Sequence, residues 1–416
     1  MRANEKNLAK NTLFLYLMRI SRYVFPLLTF PYLTRVLGME RYGVVVFSNA
    51  VMQYFAMITE FGFLFSATNE CSQYRHDKER LWIITMSVLS SKIMLVVVCA
   101  GVLSFLCMFH EAFKPHSLFF IYSFIGVVLS TLLPDFLFRG TENMKILAYR
   151  VLLSKAAYTV AVLVLVRDAG DYLYVPLAAV AGNLVSVVLT WAEIYRRRYL
   201  QRAVVSFRDI FQRLAASSAF FLSRVSVSFY TTLNTVVLGL NCSGAAVGQY
   251  GVANTLASTC RSFISPVSDA IYPYMVKNKN YRLVGRILWT LEPVVIAGCV
   301  ILWFCAESTI RIACGEGYAE AVPILRAMLP LIAISLPTYL LGYPVLGAMG
   351  RIQLANTSVM VGAAFHVLGL VSLLVLGVLG FTSVALLTFA TEAVVLGIRG
   401  MAVLKWRRRI RNEYTS

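Results

Sequence analysis

The chain has 416 residues, of which 59% are hydrophobic and only 14% charged, and its formal net charge is +18. Soluble domains are roughly half apolar, and with a mean hydropathy of +0.71 this chain is too poor in polar residues to cover itself in water. A soluble enzyme is excluded, and the basic balance, which in a soluble chain would point to nucleic acid, must be read from where the charges fall.

Windows of about twenty apolar residues, enough to cross a hydrocarbon core about 30 Å thick, occur at 12–34, 43–66, 82–108, 117–138, 146–166, 172–194, 214–239, 248–274, 287–306, 322–347, 354–378 and 381–404. The spacing therefore predicts an all-α polytopic membrane protein with about twelve transmembrane helices. The first window runs uncut into the second and lacks a small-residue cleavage site, so no cleavable signal peptide is expected.

The first window carries Arg19 and Arg22, three residues apart and so on one helical face, followed by Pro26 and Pro31, which permit a bend. Arg19 lies nine residues past Lys10. At about 1.5 Å per residue this is roughly 14 Å into the bilayer, where a charge is expensive and is kept for a cavity that uses it. The seventh window repeats the pattern: Leu17-Met18-Arg19-Ile20-Ser21 is echoed by Leu222-Ser223-Arg224-Val225-Ser226. A second echo sets Val36-Leu37-Gly38 and Tyr42-Gly43-Val44 against Val237-Leu238-Gly239 and Tyr250-Gly251-Val252. Six windows in each half make the repeats parallel, and such carriers place the substrate between their halves. The expected organisation is a first six-helix bundle over 1–195, a basic linker at 196–213, a second bundle over 214–404 and a basic tail at 405–416.

Further cations lie at Arg261 in the eighth window and Arg326 in the tenth, either of which would join a cationic lining or pair with an acid. The candidate acids are Glu60, Asp135, Glu292 and Glu392, and a carboxylate held inside a membrane is a candidate for ion coupling as well as for helix pairing. The tenth window has prolines at 323, 330, 337 and 344; spaced by seven, they share nearly one face and predict a helix that bends or breaks.

With the N-terminus cytoplasmic, the inner segments hold 25 Lys and Arg, counting Arg150 at the mouth of the fifth window, against Arg35, Arg41, Lys114, Arg167 and Arg311 outside. The positive-inside rule then places both termini in the cytoplasm and the basic linker on anionic lipid. The eight cysteines form no CxxC pair and the four histidines are scattered, so neither metal nor cofactor is expected. There is no P-loop or HExxH motif, which argues against a powered pump or a metalloprotease.

Several segments carry a family resemblance. Pro134-Asp135-Phe136-Leu137-Phe138-Arg139-Gly140-Thr141-Glu142-Asn143-Met144 resembles a signature of Wzx-type O-antigen flippases, with Phe136 where the family has Trp and Arg139 where it has Gln. Arg35 to Gly43, Glu60-Phe61-Gly62-Phe63, Asp77-Lys78-Glu79, Asp171 to Pro176 and Ala270 to Tyr274 are similar to further family segments. The resemblance implies the multidrug/oligosaccharidyl-lipid/polysaccharide exporter superfamily, with two six-helix bundles around a central cavity that opens alternately to each side. It implies a cargo of undecaprenyl-diphosphate-linked oligosaccharide, taken across the bacterial inner membrane for O-antigen or related polysaccharide, and an ion gradient, often of protons, rather than ATP. A polysaccharide polymerase is an expected partner. On this reading Arg19, Arg22 and Arg224 hold the diphosphate, with Arg261 and Arg326 in the same lining. A drug or cation exporter of the superfamily and a membrane glycan polymerase stay open as alternatives, the latter disfavoured by the short outer loops.

Overall fold

The computed structural model describes the backbone of residues 2–198, 201 and 203–413, and within these every side chain except those at 2–17, 19–20, 22–23, 219–220, 222–231 and 407–413. All regular structure among the described residues is helical, as lipid demands: with no water to bond, a spanning backbone must satisfy its own N–H and C=O groups. Helix α1 (Arg2–Glu60) is broken at Gly38, whose φ of 68° is left-handed, so it holds the first predicted span and most of the second. It is followed by α2 (Phe63–Gln73), α3 (Lys78–Phe109), α4 (Ser117–Thr131), α5 (Asp135–Gly140), α6 (Met144–Leu165) and α7 (Tyr174–Arg196). The second half runs through α8 (Phe207–Asn241), α9 (Gly244–Asn278), α10 (Tyr281–Cys314), α11 (Ala321–Ala333), α12 (Ser335–Leu340), a π-helical turn at Leu341–Gly347, α13 (Ile352–Val375) and α14 (Phe381–Glu413).

Each predicted window falls largely on helix. Among the described residues eight stretches are long and apolar enough to cross a membrane by themselves, with Val24–Gln73 counted as one, and a ninth forms when Ala321–Ala333 and Ser335–Gly347, bent by 41°, are joined. Helix α9 falls below that standard because serine, threonine, asparagine and charge interrupt it. Side chains such as Val97, Phe105, Phe109, Phe304 and Leu368 are exposed and suit the hydrocarbon.

The chain divides into two compact units: residues 1–225 with 243–245, and residues 226–242 with 246–416. This division falls inside α8. The reason lies in the first unit, where the head of α8 is anchored. Ser217 shares a 2.7 Å hydrogen bond with Ser66, Phe221 stacks on Phe61 at 4.4 Å, Arg213 pairs with Glu70, and Ser91 reaches the Ile210 carbonyl at 3.3 Å.

The core of the first unit joins Phe63, Ala67 and Cys71 of α2, Leu81, Ile84 and Val88 of α3, and Phe136, Leu137 and Phe138 of α5. Gly140 lets α5 lie directly on α2: a Cβ there would sit 2.5 Å from the Cys71 Cβ and 2.9 Å from the Ser72 nitrogen. The motif that carried the family resemblance is thus a buried corner of the fold. In the second unit, Gln249 donates to the Gly317 carbonyl at 3.0 Å and accepts from the Ala321 amide at 3.1 Å. It thereby ties α9 to the turn before α11.

Candidate functional site: a polar cavity in the second unit

The second unit carries an open cavity of about 450 Å³, within the range of small-molecule sites. Helix α9 contributes Ser258, Arg261, Ser262, Ser265, Ser268 and Asp269. The broken span contributes Thr338, Tyr339 and Tyr343, α13 contributes Val359, and α14 contributes Glu392, Val395 and Arg399. Ser258, Ser262, Ser265 and Asp269 recur at three- and four-residue spacing, so one face of α9 is polar throughout. That stripe explains why α9 is too polar to count as a membrane span by hydropathy.

Arg261 and Glu392 form the centre of the wall. The Arg261 guanidinium donates to Glu392 at 2.7 Å and to the Ser335 hydroxyl at 3.1 Å, and lies 5.7 Å from the centre of the Tyr339 ring. Ser335 in turn donates to the Leu331 carbonyl at 2.7 Å, which leaves its oxygen to accept from the arginine. A charge-assisted pair in a low-dielectric wall is strong and directional.

Arg399 is held differently. Only 7% exposed, it donates to Ser358 at 2.9 Å, to the Thr338 carbonyl at 2.6 Å and to the Ala355 carbonyl at 3.4 Å. The broken tenth span makes this possible. Pro337 and Pro344 bring no N–H to the helical ladder, the chain bends after α11, and a π turn follows, with Gly342 at a non-helical ψ of −117°. Gly342 also makes the space, because a Cβ there would lie 2.8 Å from the Arg399 Nη1. The four spaced prolines foretold the break; no sequence signal tied Arg399 to it.

A second polar network lies in the interior of the same unit. His366 of α13 meets Asn234 of α8 at 2.7 Å and Thr391 of α14 at 2.8 Å, while Asn234 donates to Thr388 at 2.8 Å. Reading the histidines as scattered missed this, since the three partners come from two other helices.

The remaining candidates are dispersed. Arg326 is not brought to the cavity: it donates to the Trp303 carbonyl at 3.1 Å and rests 5.6 Å from that ring. In the first unit Glu60 pairs with the buried Lys92 at 2.7 Å, and Asp135 with the buried Arg150 at 2.7 Å; neither partner was singled out from sequence. Glu60, Asp135 and Glu392 each face a cation, whereas the Oε2 of Glu292 is buried without a hydrogen-bond partner among the described residues. The side chains of Arg19, Arg22 and Arg224 lie outside the described residues. No group of three or more metal-ligating side chains occurs among the described residues.

Membrane-length helices with paired interior charges define a multi-pass membrane protein. The sequence model of the polysaccharide biosynthesis protein family matches residues 8–279. The chain is 30% identical over 338 residues to a protein of Escherichia coli (strain K12) named "Putative O-antigen transporter", covering 80% of this chain and 81% of the relative. A Shigella dysenteriae protein of the same name is 24% identical over 366 residues, 86% of this chain and 91% of that one. Among solved structures, the lipid II flippase MurJ in an inward closed conformation superimposes with a TM-score of 0.69 at 13% identity, covering 95% of this chain and 87% of that one. An inward-facing multidrug resistance MATE family transporter of the MOP superfamily gives 0.72 at 12% identity, covering 94% and 96%. These structural likenesses show the fold. The chain belongs to the polysaccharide biosynthesis protein family.

Proposed function

We propose that this protein is a flippase that carries an undecaprenyl-diphosphate-linked oligosaccharide from the cytoplasmic to the periplasmic leaflet of a bacterial inner membrane, for O-antigen or a related polysaccharide. The observation that carries the reading is a cavity of about 450 Å³ with charged side chains in its lining, inside a unit of membrane-length helices, in a chain of this family. Its relatives are named as transporters, and transport rather than catalysis is the activity assigned. The 25-to-5 distribution of Lys and Arg supports a cytoplasmic position for both termini.

The cargo's diphosphate must cross hydrocarbon, and the planar fork of arginine suits phosphate oxygens in a low-dielectric site. Arg19, Arg22 and Arg224 are assigned to it. Arg261 is the less suitable holder because its charge meets Glu392 at 2.7 Å. Ion coupling, with protons as the driving ion, is assigned first to Glu292, because the carboxylates of Glu60, Asp135 and Glu392 already face cations. A polysaccharide polymerase is the proposed partner that consumes the flipped unit. A multidrug reading rests on fold similarity alone.

The test is genetic and chemical. Deleting the chain should make lipid-linked repeat units accumulate at the cytoplasmic face, and restoring it should clear them. The double variant Arg19→Gln with Arg224→Gln, at normal protein level, should abolish polymer export, while lysine at either place retains part of it. Full export by the double variant would sink the assignment of the diphosphate. Absence of accumulated lipid-linked units in the deletion would sink the flippase reading itself.

A further inference from the structure

We infer that the second-unit cavity is a sugar-binding subsite, taking one or more hydroxyl-rich rings of the glycan and not its diphosphate. This rests on the flippase reading above and assigns a part of the cargo to this particular cavity.

The charge of the lining decides against phosphate. The two arginines, Arg261 and Arg399, stand with two carboxylates, Glu392 and Asp269, on the same walls. Among the described lining residues a diphosphate entering here would meet as many anions as cations. Both guanidinium groups are also committed. Arg261 divides its donors between Glu392 and Ser335, and Arg399 spends its own on Ser358 and two backbone carbonyls. Neither presents the undivided fork that binds phosphate well.

The remaining chemistry suits a sugar ring. A pyranose carries hydroxyls that donate and accept, together with a C–H face that rests on aromatic rings. On α9 the hydroxyl hydrogens are directed at carbonyls: Ser258 to Thr255 at 3.0 Å, Ser262 to Ser258 at 2.8 Å and Ser268 to Tyr339 at 3.1 Å. Each oxygen retains lone pairs, so this wall is a row of acceptors for sugar hydroxyl groups. Tyr339 and Tyr343 supply the aromatic surface. The Tyr343 hydroxyl donates to Asn356 at 2.9 Å, and its ring meets Tyr272 edge-on at 6.3 Å, which fixes the plane a sugar would lie on. A few positioned polar groups and aromatic rings around a preformed volume are what small-molecule specificity requires.

The test uses the full-length protein in nanodiscs and native mass spectrometry with two probes. These are the lipid-linked oligosaccharide extracted from cells lacking the chain, and bare undecaprenyl diphosphate. The variant Ser262→Ala with Ser265→Ala removes two cavity hydroxyls and, alanine being a strong helix former, leaves α9 intact. Its affinity for the lipid-linked oligosaccharide should fall about tenfold, which is 1.4 kcal/mol, while affinity for bare undecaprenyl diphosphate changes less than about twofold. Equal loss of both probes, or loss of neither, overturns the inference. So does tighter binding of bare undecaprenyl diphosphate by Glu392→Gln, the result expected of a phosphate site relieved of an anion. A wild-type protein that binds neither probe refutes the flippase reading instead.

Discussion

Replacing Gly342 by alanine probes the link between the broken tenth span and the buried arginine. The added Cβ would stand 2.8 Å from the Arg399 Nη1 and 3.2 Å from its Cζ. A flexible exposed side chain would swing aside, but Arg399 is buried and held by three acceptors, the closest being the Thr338 carbonyl at 2.6 Å from that same Nη1. Making room moves the guanidinium off this carbonyl. A hydrogen bond from a charged donor contributes about 2 kcal/mol, so Gly342→Ala should destabilise the protein by about that much. Arg399→Met also destabilises, by leaving Ser358 and the Thr338 carbonyl unmet, but it removes the atoms with which the new methyl collides. The double variant should therefore cost little more than Arg399→Met alone, giving a coupling energy of about 2 kcal/mol. Thermal unfolding of the purified full-length protein in detergent, read for all four members of the cycle, measures it. If the two costs simply add, Gly342 serves some other purpose and the account of how the cavity wall is built is wrong.

Two other outcomes follow from the pairing of charges. Glu60→Gln leaves Lys92, which is 1% exposed, as a buried cation without its anion, and should lower stability by about 3 kcal/mol. Adding Lys92→Met to it should recover much of the loss, in unfolding midpoint and in membrane-inserted protein level; failure of that rescue would mean the pair is needed for transport or packing beyond neutralisation. Arg326→Gln should support polymer export close to wild type, because this arginine serves the Trp303 carbonyl and does not line the cavity. Export reduced tenfold at normal protein level would restore Arg326 to the substrate path.

The fold class was legible because hydrocarbon imposes a simple rule on sequence. Each crossing needs a long apolar run, so the windows around α3, α6, α7, α10, α13 and α14 could be read one at a time, without knowledge of any neighbour. The four prolines of the tenth window likewise announced a break, since a missing N–H is a local fact. The function class came into reach through the segments that resemble Wzx-type flippases, and residues 8–279 place the chain in the polysaccharide biosynthesis protein family.

What sequence alone could not decide was which charge answers which. Glu60 meets Lys92 from 32 residues away, Asp135 meets Arg150, and Glu392 meets Arg261 across 131 residues. His366 finds Asn234 at a separation of 132, and Arg399 finds the Thr338 carbonyl of the broken span 61 residues earlier. In a membrane interior a buried ion is stable only with its partner, yet the partner is set by how helices lie side by side, and helical periodicity records only which face a residue occupies. So from its sequence the chain could be read as a twelve-window helical membrane protein rich in buried charge. Only the packing of those helices separated Arg326, which bonds a neighbouring backbone, from Arg261 and Arg399, which build the walls of a cavity.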